Sequence, residues 1–160
     1  MIIALALAST TLVLTDTCVN HSAYSFELAA ARLANVEILR NDASGRSERG
    51  SFPDGTIVTL SAEYCSTPVI VMSVDAPIDA QTAMRLNQLT GRLDRITGCV
   101  AEDYSVLDTA FAATADAMAA GGQYEDDNHP LAQTAANTIR FTARAEGGRM
   151  LAEFSCTKHE

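Results

Sequence analysis

TIRFTARAEGGRMLAEFSCT, residues 138–157, is the stretch on which the fold turns. Two runs, 138–145 and 150–157, alternate apolar and polar residues and flank Glu146-Gly147-Gly148-Arg149. Alternation with a period of two marks strands buried on one face. Adjacent glycines supply the positive φ angles of a two-residue hairpin turn at no steric cost. With Gly147 and Gly148 in the turn, Ala145 faces Met150, Ala143 faces Ala152, Phe141 faces Phe154 and Ile139 faces Cys156, so every pair on that face is apolar. The other face sets Arg140, Thr142 and Arg144 against Ser155, Glu153 and Leu151, a mostly wet surface. The stretch predicts a C-terminal β-hairpin with Cys156 on the core face, either packed as a thiol or bonded to a partner beneath the sheet.

Toward the N-terminus, residues 103–120 predict a helix with Val106, Ala110, Phe111, Ala117 and Met118 facing inward and Gly121-Gly122 ending it. Residues 76–97 predict a longer helix, capped by Asp75 and carrying Pro77 in its first turn. Its buried stripe is Ile78, Thr82, Leu86, Leu89, Leu93 and Ile96, and Gly98 stops it. A short helical turn is expected around 131–136. TIVTLSAE (56–63) and PVIVMSV (68–74) predict strands joined by YCST, with Pro68 confined to a first or edge position. YSFELAAARLANVEILR (24–40) predicts a helix from the spacing of Phe26, Ala30, Leu33 and Val36. NDASGRSERGSFPDG (41–55) is expected to be a solvated connection.

MIIALALASTTLVLTDTC (1–18) admits two readings. As an export signal it lacks a basic start, the first basic residue being Arg32, and offers no good cleavage site. As structure, TTLVLTDT (10–17) is β-branched, apolar and ended by Asp16. The strand reading fits better. The expected fold is one α+β domain over residues 1–160, an antiparallel sheet of four to five strands with two to three helices packed on one face. With residues 1–17 as a first strand, a split β-α-β (ferredoxin-like) arrangement is also available.

The composition, 48 % hydrophobic and 19 % charged, is that of a globular chain. Its net charge of −9 argues against nucleic acid as a partner. No apolar run approaches the ~18 residues of a membrane-spanning helix, so no membrane span is expected. Cys18, Cys65, Cys99 and Cys156 are too far apart for a CxxC metal or redox motif. Two disulfides, in any of three connectivities, or four reduced thiols remain open. Disulfides belong to an exported protein and free thiols to an intracellular or virion-type assembly component. The weak signal tilts the reading toward the second.

Two polar constellations stand out. Glu125, Asp126, Asp127 and His129, with Tyr124 and Asn128, gather oxygens that suit a hard cation, without the spacing of an EF-hand; a solvated acidic turn explains them as well. Gln81, Arg85, Gln88, Arg92 and Arg95 recur at helical spacing opposite the apolar stripe. Arg85, Arg92 and Arg95 thus form a basic strip able to hold carboxylates or phosphates of a partner. There is no GxSxG, SxxK, HExxH or Gly-rich phosphate loop, and only His21, His129 and His159 supply imidazole. No cofactor is expected. The leading reading is a non-enzymatic interaction or structural module, self-assembling or binding a protein partner through the Arg strip or the edge and wet face of the hairpin. A small exported disulfide-bonded binding protein and a metal- or thiol-dependent enzyme are the alternatives.

Overall fold

In the computed structural model, β7 (Asn137–Glu146) and β8 (Arg149–Lys158) meet through Gly147 and Gly148, whose φ angles are 58° and 78°. Ile139 lies opposite Cys156, Phe141 opposite Phe154, Ala143 opposite Ala152 and Ala145 opposite Met150, the pairing that the turn chemistry requires. The structure describes residues 26, 28, 33–42, 44–63, 69–97, 104–125, 132, 133 and 137–159. The first strand or signal expected within residues 1–17, and Pro68, lie outside them.

The hairpin is one end of a sheet wider than expected. β1 (Ala34–Asp42), β2 (Gly45–Ser51), β3 (Ile57–Glu63) and β4 (Val69–Pro77) form a meander. α1 (Thr82–Thr97) and α2 (Tyr104–Ala119) follow, then the short strands β5 (Gln123–Glu125) and β6 (Ala132–Gln133). The order across the sheet is β1-β2-β3-β4-β8-β7-β5, with β6 sharing the outer edge of β7. Seven strands across with two helices, among the described residues, replace the expected four to five strands with two to three helices. Every described pairing is antiparallel, so the split β-α-β arrangement is not the one adopted.

The extra strands come from residues 34–51, expected as helix and connection. Leu33 is buried, but Val36, Ile38 and Leu39 are 38, 57 and 49 % exposed, so their spacing marks no buried helical stripe. Asp42 makes the turn between β1 and β2. Its Oδ1 accepts from the Ser44 amide at 2.8 Å and the Gly45 amide at 3.0 Å, holding the chain reversed as a backbone turn would. β2, GRSERGS, has little strand propensity, yet pairs with β3 from Gly45–Glu63 to Ser51–Ile57. Strand propensity measures fit to neighbours more than backbone preference, and here the neighbours decide. Gly50 is required because Leu33 crosses over it: an added Cβ would meet Leu33 at 2.9 Å. β1 itself slips register twice, between Ala34 and Glu37 and between Ile38 and Arg40, with Asn35 at φ 53° inside the first slip.

Two further boundaries move. Residues 75–77 extend β4 rather than starting the helix, and Pro77, paired to Arg149 of β8, lies beyond the last β3 partner, so its missing N–H breaks no ladder. The helix instead starts from Asp79. The Asp79 carboxylate accepts from the Gln81 amide at 2.8 Å, while Thr82 Oγ1 accepts from the Asp79 amide at 3.0 Å, a reciprocal cap. The turn expected around 131–136 contains strand β6 at Ala132–Gln133. α2 ends as its glycines predict: Gly121, at φ 71°, donates to Met118 O and Gly122 donates to Ala117 O.

One face of the sheet carries the core. Val58, Leu60, Ile70, Met72, Phe141, Met150, Phe154 and Cys156 point into it, joined by Leu86 and Leu89 of α1 and by Leu107, Phe111 and Met118 of α2. Phe111 meets Phe141 and Phe154 edge-on at 5.6 and 5.9 Å, and the two strand rings lie 4.5 Å apart. At the β2 end the same face buries Glu48, paired to Arg46 at 2.5 Å, beside Phe26, Leu28 and Leu33. Among the described residues no helix is long and apolar enough to cross a membrane.

Gly50→Ala is expected to destabilise by about 1–3 kcal/mol, because Leu33 must shift. Gly91→Ala, with open space where its Cβ would go, should stabilise by about 0.5–1 kcal/mol. Urea unfolding of the two variants beside wild type measures both, with opposite signs.

Candidate functional site

The turn from β2 to β3 is built to face α1. Phe52 donates to Thr56 O at 2.8 Å, Gly55 closes the turn at φ 82°, and Asp54 Oδ1 accepts from the Thr56 amide at 2.9 Å. The other Asp54 oxygen accepts from Arg85 Nε at 3.0 Å. Arg85 is only 8 % exposed, and its remaining nitrogens reach Pro77 O and the Asp79 carboxylate, both at 2.9 Å. One guanidinium thus fastens the β2–β3 turn, the end of β4 and the first turn of α1. Arg geometry permits this, since its planar fork donates in three directions at once.

The electrostatics follow the geometry. Burial pulls the Asp54 carboxyl up, but the Thr56 amide, the nearby Thr56 hydroxyl and Arg85 outweigh it and hold the group below its ordinary value. Arg85 and the Gln81 amide lower Asp79 in the same way. Burial lowers Arg85, and its two carboxylate partners reverse that and raise it.

Seven residues along α1, the Arg92 guanidinium lies over the Phe52 ring, 4.8 Å from its centroid. Arg85, Arg92, Phe52, Asp54, Thr56 and Leu89 enclose much of a cavity of about 260 Å³. Thr56 is fully buried, and its Oγ1 is the one buried side-chain polar atom, among the described residues, without a hydrogen-bond partner. The hydroxyl is close enough to Asp54 to help lower its carboxyl.

The expected Arg strip is therefore divided. Arg85 is a buried clamp rather than a docking residue, Arg92 is half-buried against Phe52, and the side chain of Arg95 lies outside the described residues. Asp54, Thr56, Phe52 and Asp79 were not singled out from the sequence. The signals were present in the D-G turn at 54–55 and in the D-A-Q-T cap at 79–82.

The face of the sheet away from the helices is open. One row crosses six strands: Arg49, Thr59, Ser73, Glu153, Thr142 and Glu125. The row beside it contains Ile57, Asp75, Leu151 and Arg144. Between these rows runs a groove of about 390 Å³. At its end Arg149 pairs with Asp75 at 2.5 Å and donates to Gly55 O at 2.9 Å, joining the hairpin to the β2–β3 turn.

Of the acidic constellation, Glu125 is exposed at the end of β5, beside Thr142, while Asp126, Asp127 and His129 lie outside the described residues. Among the described residues no three His, Cys, Asp or Glu come together as metal ligands. Cys156 is fully buried and disulfide-bonded; Cys18, Cys65 and Cys99 lie outside the described residues. Comparison with protein-family models, curated proteins and solved structures finds no match.

Arg85→Met is expected to cost about 2 kcal/mol: the guanidinium is buried, but its two carboxylate partners are half-exposed and regain water. The pH dependence carries the sign of the mechanism. Asp54 and Asp79 have folded pKa values below their ordinary 3.8, so their contribution is complete above that value and is lost as pH falls from there through the lower folded values. Without Arg85 this loss shrinks. Stability measured from pH 6 to pH 2 should fall less steeply in Arg85→Met than in wild type, with part of the acid sensitivity kept by Asp42, which Arg40 and Ser44 also hold low.

Proposed function

We propose that the protein is a non-enzymatic binding module that holds a protein partner, or a second copy of itself, on the open face of its sheet. The groove on that face carries the reading. Its lining has both signs of charge in Arg49, Arg144, Asp75 and Glu153, hydroxyls in Thr59, Ser73 and Thr142, and an apolar middle in Ile57 and Leu151. Protein interfaces have this mixture of polar rim and small apolar centre. The site is also rigid, because its side chains stand on paired strands rather than on loops. The chain's net charge of −9 favours such a partner over a polyanion.

The compartment proposed is an oxidising one. The sequence reading leans toward an intracellular or virion-type component, but the bonded Cys156 weighs on the other side, since disulfides persist where thiols are not kept reduced.

A benzophenone amino acid in place of Ser73 or Thr142, illuminated in the producing cells, should yield one discrete protein adduct. The same group at Ala113, on the exposed side of α2, should yield none. Absence of an adduct from either groove position in folded protein, or equal labelling from Ala113, overturns the reading. The compartment is tested separately. Alkylation of freshly isolated protein should leave Cys156 unmodified until a reductant is added, and reduction should cost about 2–4 kcal/mol of stability. A Cys156 alkylated without reduction excludes the exported version.

A further inference from the structure

The charges on the open face of the sheet fall in an order that is complementary to its own reverse. Resting on the reading of that face as an interface, we infer that its occupant is a second copy of the chain, packed face to face about a two-fold axis parallel to the strands and over the line between β3 and β4.

The row across the strands carries the pairing. From β1 to β7 it presents Glu37, Arg49, Thr59, Ser73, Glu153 and Thr142, and Arg140 and Arg144 flank Thr142 on the same face of β7. By strand the signs run negative, positive, hydroxyl, hydroxyl, negative, positive. Turned over about the β3–β4 line, β2 faces β8 of the second copy and brings Arg49 to its Glu153. β1 faces β7 and brings Glu37 between Arg140 and Arg144, while β3 faces β4 and sets Thr59 against Ser73. Each contact occurs twice, as an isologous interface requires. Among the described residues Glu37, Arg49, Glu153 and Arg140 are exposed and take part in no ion pair, so their charges are available to the second copy.

The remaining charges do not oppose this arrangement. Asp75 keeps its partner Arg149, and Glu125, on β5, falls outside the six strands that overlap. Arg40 falls toward Arg140 of the second copy, but it is held between Asp42 and Glu63, a group with one negative charge in excess. The size is also sufficient. Strands about 4.8 Å apart, with residues rising about 3.3 Å, give the six strands about 650 Å² of face over the length of β2 and β3. Two such faces bury about 1,300 Å², within the ~1,200–2,000 Å² of specific interfaces. Packed sheets stand about 10 Å apart, a gap that an arginine and a glutamate extended toward each other can span. The groove of about 390 Å³ then becomes an enclosed, wet channel between the copies.

Sedimentation of the full-length protein at about 0.15 M salt, where charges more than ~8 Å apart are screened, measures the pairing. Wild type should dimerise with a Kd of about 10–100 µM, as a polar interface at the low end of that size range implies. Arg49→Glu and Glu153→Arg each turn two attractive contacts into two repulsive ones, and each should weaken the dimer at least about thirtyfold. Mixed in equal amounts, the two variants should pair with each other, because each supplies the charge that the other has lost. Both substitutions in one chain should dimerise as wild type does. Circular dichroism and melting establish that the variants, altered only at exposed positions, are folded. The pairing is overturned by a wild type still monomeric at about 1 mM, by single variants that dimerise as wild type does, or by no recovery in the mixture and the double variant. The benzophenone at Ser73 separates this failure from that of the wider reading. A monomeric wild type whose adduct is a different protein overturns the second copy and leaves the face an interface, whereas no adduct overturns both.

Discussion

The seam between β4 and β8 holds the molecule together. Nine residue pairs, from Val69–Thr157 to Pro77–Arg149, join a meander built from residues 34–77 to a hairpin built from residues 137–158. On the core side the seam aligns Ile70, Met72 and Val74 with Cys156, Phe154 and Ala152, so that α1 and α2 cover one continuous apolar surface. On the open side it brings Ser73 and Asp75 beside Glu153 and Leu151, and the groove runs across it. Neither half-sheet alone provides both. Because the partners are about eighty residues apart in sequence, closing this seam is the step whose loop entropy must be met before long-range contacts return anything.

Features set by neighbours in sequence were legible. The 145–150 turn, its register and the two-glycine stop of α2 follow from backbone geometry that glycine alone satisfies cheaply. Residues 34–51 were not legible. Val36 and Leu33 lie at a spacing that a helix also uses, and GRSERGS has no strand character of its own; the second became a strand along the edge of β3, and residues 34–42 became one along the edge of β2. Asp75 and Asp79 illustrate the same limit. Each is followed by residues suited to a helix start, and only the continued pairing of Asp75 with Leu151 on β8 passes the cap to Asp79.

The arginines of α1 show why a polar stripe is a poor guide to a surface. Arg85 and Arg92 were legible as a row opposite the leucines. Their neighbours were not, because Asp54 and Phe52 come from a turn some thirty residues upstream. Burial converts the first arginine into a fastening and leaves the second beside an aromatic ring. A cavity arises between them because the turn is held at its rim by Asp54 and by Phe52, while Thr56 faces the space between.

The register slips of β1 have a consequence for how far the sheet can grow. Among the described residues β1 is an outer strand, and it carries apolar side chains, the kind of edge on which another chain can add and continue a ladder. Two bulges within nine residues break the even spacing of N–H and C=O groups that an incoming strand would need. Fibre-like extension is blocked at the backbone while Val36, Ile38 and Leu39 remain accessible as side chains. The molecule thus keeps adhesive surface at its margin without offering a template for endless stacking.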